Sequence, residues 1–133
     1  MTQNEEMLIH AIRERLTRDM LDEKFLGRPE SPFFGHCFHA SVALYRLLGG
    51  KEAGYSVWKA MDCTDTTHYW VTSPSGEILD PTVEQYTDFG LTPPYDSGRR
   101  TGFRVPNAAK DLQQAIEDHC GFHPFVTTQL HRP

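Results

Sequence analysis

Cys37, His68 and Asp80 are the residues of this chain whose types and order could perform covalent chemistry. The cysteine lies between two histidines in GHCFHA, the histidine begins HYWV, and the aspartate closes GEILD ahead of Pro81. The chemistry would be nucleophilic catalysis by a thiol. A cysteine in the first turn of a helix feels the positive end of the helix macrodipole, which favours the thiolate. An imidazole within reach can take the proton and hold the thiolate as an ion pair. A carboxylate behind the imidazole fixes its tautomer and steadies the imidazolium.

These groups need a helix start and two adjacent strands to bring them together. A helix is expected over residues 36–48, with Ala40, Leu44, Leu47 and Leu48 as its apolar stripe and Gly49-Gly50 as its stop. Cys37 falls in its first turn, on the inward face with Ala40, Ser41 and Leu44. The hydrophobic period then changes from 3.6 to 2. GYSVWKAMD (54–62), THYWVTS (67–73) and EILD (77–80) read as three strands of an antiparallel meander. With Pro74 at the centre of a three-residue loop, His68 and Asp80 are directly opposite on one face. A shift of two keeps them there as a diagonal pair, whereas a two-residue loop separates them.

The rest of the chain frames this core. Residues 3–26 read as an amphipathic helix, with Leu8, Ile12 and Leu16 repeating every four residues, Ile9 and Met20 beside them, and Gly27 and Pro29 as its end. Residues 81–106, rich in proline, glycine and aromatics, read as mostly loop with a short strand at 102–105. A long loop of this kind is often functional. Asn107 is expected to cap a helix at 108–119 whose Leu112 and Ile116 face inward.

Bulk properties narrow the field. The 133 residues suggest one domain, 1–133, with one hydrophobic core. A formal net charge of −5 with scattered basic residues argues against a nucleic-acid partner. No apolar run has the length of a membrane span, and the mixed charges of MTQNEEMLIHAIRER are unlike a signal or transit peptide. Three cysteines without paired spacing fit a reducing cytoplasm.

Plainer roles are open to every one of these residues. A lone cysteine in a helix is usually packing, His68 could be a satisfied half-buried histidine, and Asp80 a turn former before Pro81. Trp70 shares the His68 face and could wall a site or fill a core. His36 and His39 could bind metal with Cys37, but neighbours on a helix point about 100° apart, which suits one ion poorly. DHCGFHP, with His119, Cys120 and His123, shows no full set of four ligands, and such histidines otherwise cap a helix end. No metal or cofactor is therefore expected. Cys63 and Cys120 read as plain thiols. Arg99, Arg100 and Arg104 lie in or beside the long loop, where they could meet an acidic substrate group or only solvent.

The order Cys, His, Asp on helix, strand and next strand resembles the transglutaminase-like branch of the papain-like cysteine enzymes. GHC with its helix, HYWV and GEILDPT carry the likeness, which spans residues 35–83. The resemblance implies an α+β fold with the nucleophile helix packed on an antiparallel sheet. It also implies acyl chemistry through a Cys37 thioester, with His68 as base and then acid and Asp80 as its orienter. Enzymes of this pattern include proteases, transglutaminases, deamidases, peptide N-glycanases and arylamine acetyltransferases. One feature departs from it. Papain-like proteases usually carry a glutamine shortly before the cysteine as an oxyanion donor, and no Gln or Asn lies between Asn4 and Cys37. The Cys37 backbone N–H is one candidate donor, with His36 or the SPFFG backbone as the second.

The expectation is a hydrolase or acyltransferase for a peptide, protein or small amide, with Trp70, His36, Arg99 and Arg100 as candidate substrate contacts. Its rival is a binding module without catalysis on the same scaffold. A His/Cys metal-binding protein is the third reading.

Overall fold

The computed structural model describes residues 1–16 and 36–120. Helix α1 (Gln3–Glu14) begins at a capping box. The Thr2 hydroxyl accepts the Glu5 N–H, and the Glu5 carboxylate accepts the Thr2 N–H, so two otherwise orphaned donors are satisfied. Leu8, Ala11 and Ile12 are buried along one face. The helix ends at Glu14, well short of the expected residue 26. Arg15 leaves the helical conformation, with its N–H on the Ile12 carbonyl and its guanidinium on that of Ala11. Leu16 still packs against the core. The expected helical residues 17–26, Met20 among them, and the expected stop at Gly27 and Pro29 lie outside the described residues.

Helix α2 (Cys37–Leu47) is the centre of the molecule. Ala40, Val42, Ala43, Leu44 and Leu47 have no exposed surface, and the small alanines let neighbours approach on more than one side. It packs against α1, against α4 (Asn107–Cys120) and against the sheet. Leu112 and Ile116 of α4 are buried as expected. That helix starts at Asn107 itself, and the Pro106 carbonyl receives its first N–H groups.

The sheet has four antiparallel strands in the order β3-β2-β1-β4: β1 (Ser56–Met61), β2 (Thr67–Thr72), β3 (Ile78–Leu79) and β4 (Arg99–Arg100). Among the described residues the chain is therefore α+β, with a small antiparallel sheet and four α-helices. Val57, Val71 and Leu79 share one sheet face, and Val71 and Leu79 join the core with α2. Ala60, His68 and Trp70 are on the other. The β2–β3 turn is a three-residue loop centred on Ser75, not on Pro74. Ser73 N–H bonds the Glu77 carbonyl, and Gly76, at φ 87°, takes the left-handed position that closes such a loop. The register thus moves by two, pairing Val71 with Leu79 and Thr72 with Ile78.

Residues 81–106 are more ordered than a loop. Pro81 ends β3, and α3 (Glu84–Thr87) follows. A 3-10 turn at Tyr95–Ser97 leads into β4. The expected strand at 102–105 is absent. β4 lies at 99–100 instead, where it pairs with Trp58 and Lys59 on the free edge of β1. The alternation that suggested a strand belongs to Phe103 and Val105, which pack on the core without a partner strand. Gly98 lies against the ring of Trp70, where any Cβ would fall 2.4 Å from Cζ2, so this close approach requires glycine.

Candidate active site at the open edge of β2

β2 has two edges, and backbone alternation sets what each meets. Asp62 N–H bonds the Thr66 carbonyl, so the backbone groups of residues 66, 68, 70 and 72 face β1 and those of 67, 69 and 71 face away. On that far side β3 pairs only with Val71 and Thr72. The carbonyls of Thr67 and Tyr69 are left without a strand. Helix α2 fills the gap. The Cys37 thiol points at the Thr67 carbonyl at 3.7 Å, and the Ser41 hydroxyl donates to the Tyr69 carbonyl at 3.1 Å. One helical turn from Cys37 to Ser41 rises about 6 Å. Two residues of strand advance about 6.7 Å. The two repeats match, so one face of α2 is in register with the β2 edge. Phe38 packs on Tyr69 beside this seam, with ring centroids 4.7 Å apart.

The same seam brings Cys37 close enough to His68 for the thiol to raise the ring's pKa. His68 has no exposed surface. Its Nε2–H donates to Asp80 Oδ2 at 2.6 Å, the diagonal contact that the shifted register allows. Tyr95 donates its hydroxyl to the same oxygen at 2.6 Å. Asp80 Oδ1 accepts from the Thr82 N–H at 3.1 Å, with the Thr82 hydroxyl at 3.5 Å. With Nε2 committed to Asp80, Nδ1 is the ring nitrogen left for the thiol.

Gln85 also reaches that nitrogen, its Nε2 standing 2.6 Å from Nδ1. A neutral ring accepts from this amide. An imidazolium donates from Nδ1–H, and the carboxamide must then turn its oxygen inward. Gln85 is held in place by its neighbours on α3. Glu84 pairs with Arg13 of α1 at 2.6 Å, and Tyr86 donates its hydroxyl to Asp62 at 2.6 Å. The Tyr86 ring also meets His68 edge-on at 4.7 Å.

Electrostatics follow the partners. Burial alone would push the His68 imidazolium down. The hydrogen bonds and charges of Asp80 and Cys37 outweigh it and raise the pKa to about 9. Burial and the Asp62 carboxylate push the Tyr86 phenol up, and burial and Asp80 do the same for Tyr95. Both therefore stay protonated as donors.

His36 and His39 flank Cys37 yet do not join this chain of contacts. His36 Nδ1 and His39 Nε2 lie 2.7 Å apart, both rings are buried, and burial lowers both pKa values to about 4. The His36 ring is thus engaged with His39. The SPFFG segment lies outside the described residues. As the first residue of α2, Cys37 has a backbone N–H without a helical partner, which keeps it available as an oxyanion donor.

Trp70 is 2% exposed, stacks behind His68 and meets Tyr95 edge-on, so it backs the imidazole. Arg99 and Arg100 are exposed on β4, and Arg104 is exposed beyond it. Cys63 is an exposed free thiol. His119 is exposed in the last turn of α4, and His123 lies outside the described residues. Among the described residues, no three His, Cys, Asp or Glu side chains come together to hold a metal ion. No described helix is long and apolar enough to cross a membrane.

Ser41, Gln85, Tyr86 and Tyr95 are the members of this site that sequence reasoning missed. Only Ser41 had a signal, its place one turn after Cys37 on the same face. Compared with known proteins, the chain matches no family model, no curated protein and no solved structure.

Proposed function

We propose that this chain is a cysteine-dependent hydrolase or acyltransferase acting on an amide-type bond, built on a papain-like or transglutaminase-like core. One observation carries the reading: a buried His68 within electrostatic reach of the Cys37 thiol and tied through Nε2 to Asp80, next to the strand carbonyl the thiol meets. The Cys37 thiolate attacks the carbonyl carbon, forming a C–S bond while the carbonyl oxygen takes the negative charge. His68 gives its proton to the leaving nitrogen as the C–N bond breaks, leaving a thioester and an amine. Water or an acceptor amine then gives a proton to His68 and attacks the thioester. The Cys37 thiolate departs, and the His68 imidazolium pairs with it again. Asp80 holds the ring throughout. The likeness supports hydrolysis and transfer alike.

The rival reading, a binding module without catalysis, is favoured by one observation. Cys37 is only 8% exposed and His68 is fully covered. Alkylation separates the two, and the exposed Cys63 is an internal reference in the same molecule. Iodoacetamide should label Cys37 well below pH 7, with the exposed Cys63 labelling as the internal reference. A folded protein in which Cys63 labels and Cys37 stays inert refutes catalysis. So does a Cys37→Ala protein that keeps full turnover on an amide substrate found by screening.

A further inference from the structure

We propose that the substrate of this site carries a carboxylate, recognised by Lys59 and Arg99 in the cleft beside Thr67. This rests on the reading of Cys37 as a nucleophile and names the substrate class that reading leaves open.

The cleft has a volume of about 330 Å³ and is lined by Lys59, Ala60, Met61, Thr67, Ser97 and Arg99. Thr67 joins it to the site, because the Thr67 carbonyl is the contact of the Cys37 thiol. Lys59 and Arg99 are cross-strand partners in the β1–β4 ladder. Directly opposed residues have Cβ atoms about 5 Å apart on the same face, and like charges there repel. A folded chain ordinarily answers such a pair with a carboxylate. Here no acidic side chain lines the cleft. Among the described residues neither cation makes an ion pair or a side-chain hydrogen bond. The juxtaposition is the more notable in a chain of net charge −5.

The register also gives the direction of approach. Lys59 opposes Tyr69, and Met61 opposes Thr67. The cations therefore share the sheet face of Thr67 and Tyr69, the two residues whose carbonyls meet α2. A substrate with its carbonyl at Cys37 and its chain laid across β2 and β1 passes Lys59 one strand spacing beyond β2 and reaches Arg99 after two, about 10 Å. That is roughly three extended residues. An acidic side chain two or three positions from the scissile bond fits this reach. A neutral amide there would leave the cations facing one another uncompensated. Exposed Met61 supplies an apolar wall for the chain between.

The test pairs two electrophilic probes that differ only in charge, chloroacetyl-Gly-Glu-amide and chloroacetyl-Gly-Gln-amide, with iodoacetamide as the small neutral reference. In the wild-type protein the Glu probe should modify Cys37 about five- to tenfold faster than the Gln probe, and roughly 0.5 M salt should remove most of that preference. In the Lys59→Gln/Arg99→Gln double variant the two rates should become equal while the iodoacetamide rate is unchanged. Equal rates in the wild type, or a preference that survives the double variant, overturns the inference and leaves the nucleophile reading intact. A Cys37 inert to iodoacetamide refutes that reading instead. The cleft is then judged alone, by titrating acetyl-Gly-Glu-amide and acetyl-Gly-Gln-amide into the Cys37→Ala protein and following amide resonances. Selective, salt-sensitive shifts of Lys59, Thr67 and Arg99 with the acidic peptide support the cleft, and their absence overturns it.

Discussion

The start of α2 and the start of β2 each bury histidine, and the outcome is opposite. His36 and His39 face each other, and both are lowered to about 4. His68 is buried at least as completely, yet is raised to about 9. Burial penalises the charged ring in both places. The difference lies in the partner: another imidazole in one case, a carboxylate and a thiol in the other. Two buried regions beside the same cysteine thus hold one neutral pair and one imidazolium, and only the second can stabilise a thiolate.

Removing the carboxylate should collapse this contrast and have the largest effect. In Asp80→Asn, only Cys37 still opposes burial, and the His68 pKa should fall from about 9. Iodoacetamide modification of Cys37 at pH 6 should slow by about 10²–10⁴-fold, the usual loss of positioned acid–base assistance. Mass spectrometry of the labelled peptide and a histidine-ring titration by NMR measure the two effects. An unchanged His68 titration would break the comparison.

The second prediction sharpens it through stability. For His68 the folded pKa lies above the ordinary 6.5, so its contribution is complete below about 6.5 and is lost as pH rises through about 9. For His36 and His39 the folded values lie below 6.5. Their contribution is complete above it and is lost as pH falls through about 4. The urea midpoint should therefore peak near neutrality and fall on both sides, each limb being on the order of a few kcal/mol. His68→Gln should flatten the alkaline limb alone, and His36→Gln/His39→Gln the acid limb.

The smallest effect concerns Gln85. Gln85→Leu removes the amide donor that the neutral ring accepts at Nδ1. The upper edge of the His68 titration should move up by about half a pH unit, or roughly 0.7 kcal/mol. A shift of equal size in His36 or His39 would mean that the variant acts through general loosening.

Legibility in the sequence followed the range of the interactions. Helix α2 and strands β1 and β2 were readable because their apolar periods are local, while parity put His68 and Asp80 on one face only if the connecting loop had three residues. The turn type chose between direct and diagonal pairing, and Gly76 in the left-handed position was the local sign of the loop that formed. β4 was not readable. A two-residue edge strand exists only because Trp58 and Lys59 offer a free edge, and nothing in Arg99–Arg100 announces it. Phe103 and Val105 show the opposite case, an alternating pattern satisfied by packing. Tyr95 lies 15 residues from Asp80 and Gln85 17 from His68, across turns and short elements with no shared period. Their placement depends on anchors such as Glu84 to Arg13, which no local pattern encodes.

The fit of α2 against β2 has a consequence for solubility. A strand whose outer carbonyls are bare is a template on which a second chain can add, the first step toward polymeric sheets. β3 shields only the far half of β2. Cys37 and Ser41 stopper the other half. The proposed nucleophile thus doubles as a guard against misassembly, and truncating both side chains would uncover a docking rail for another copy of the chain.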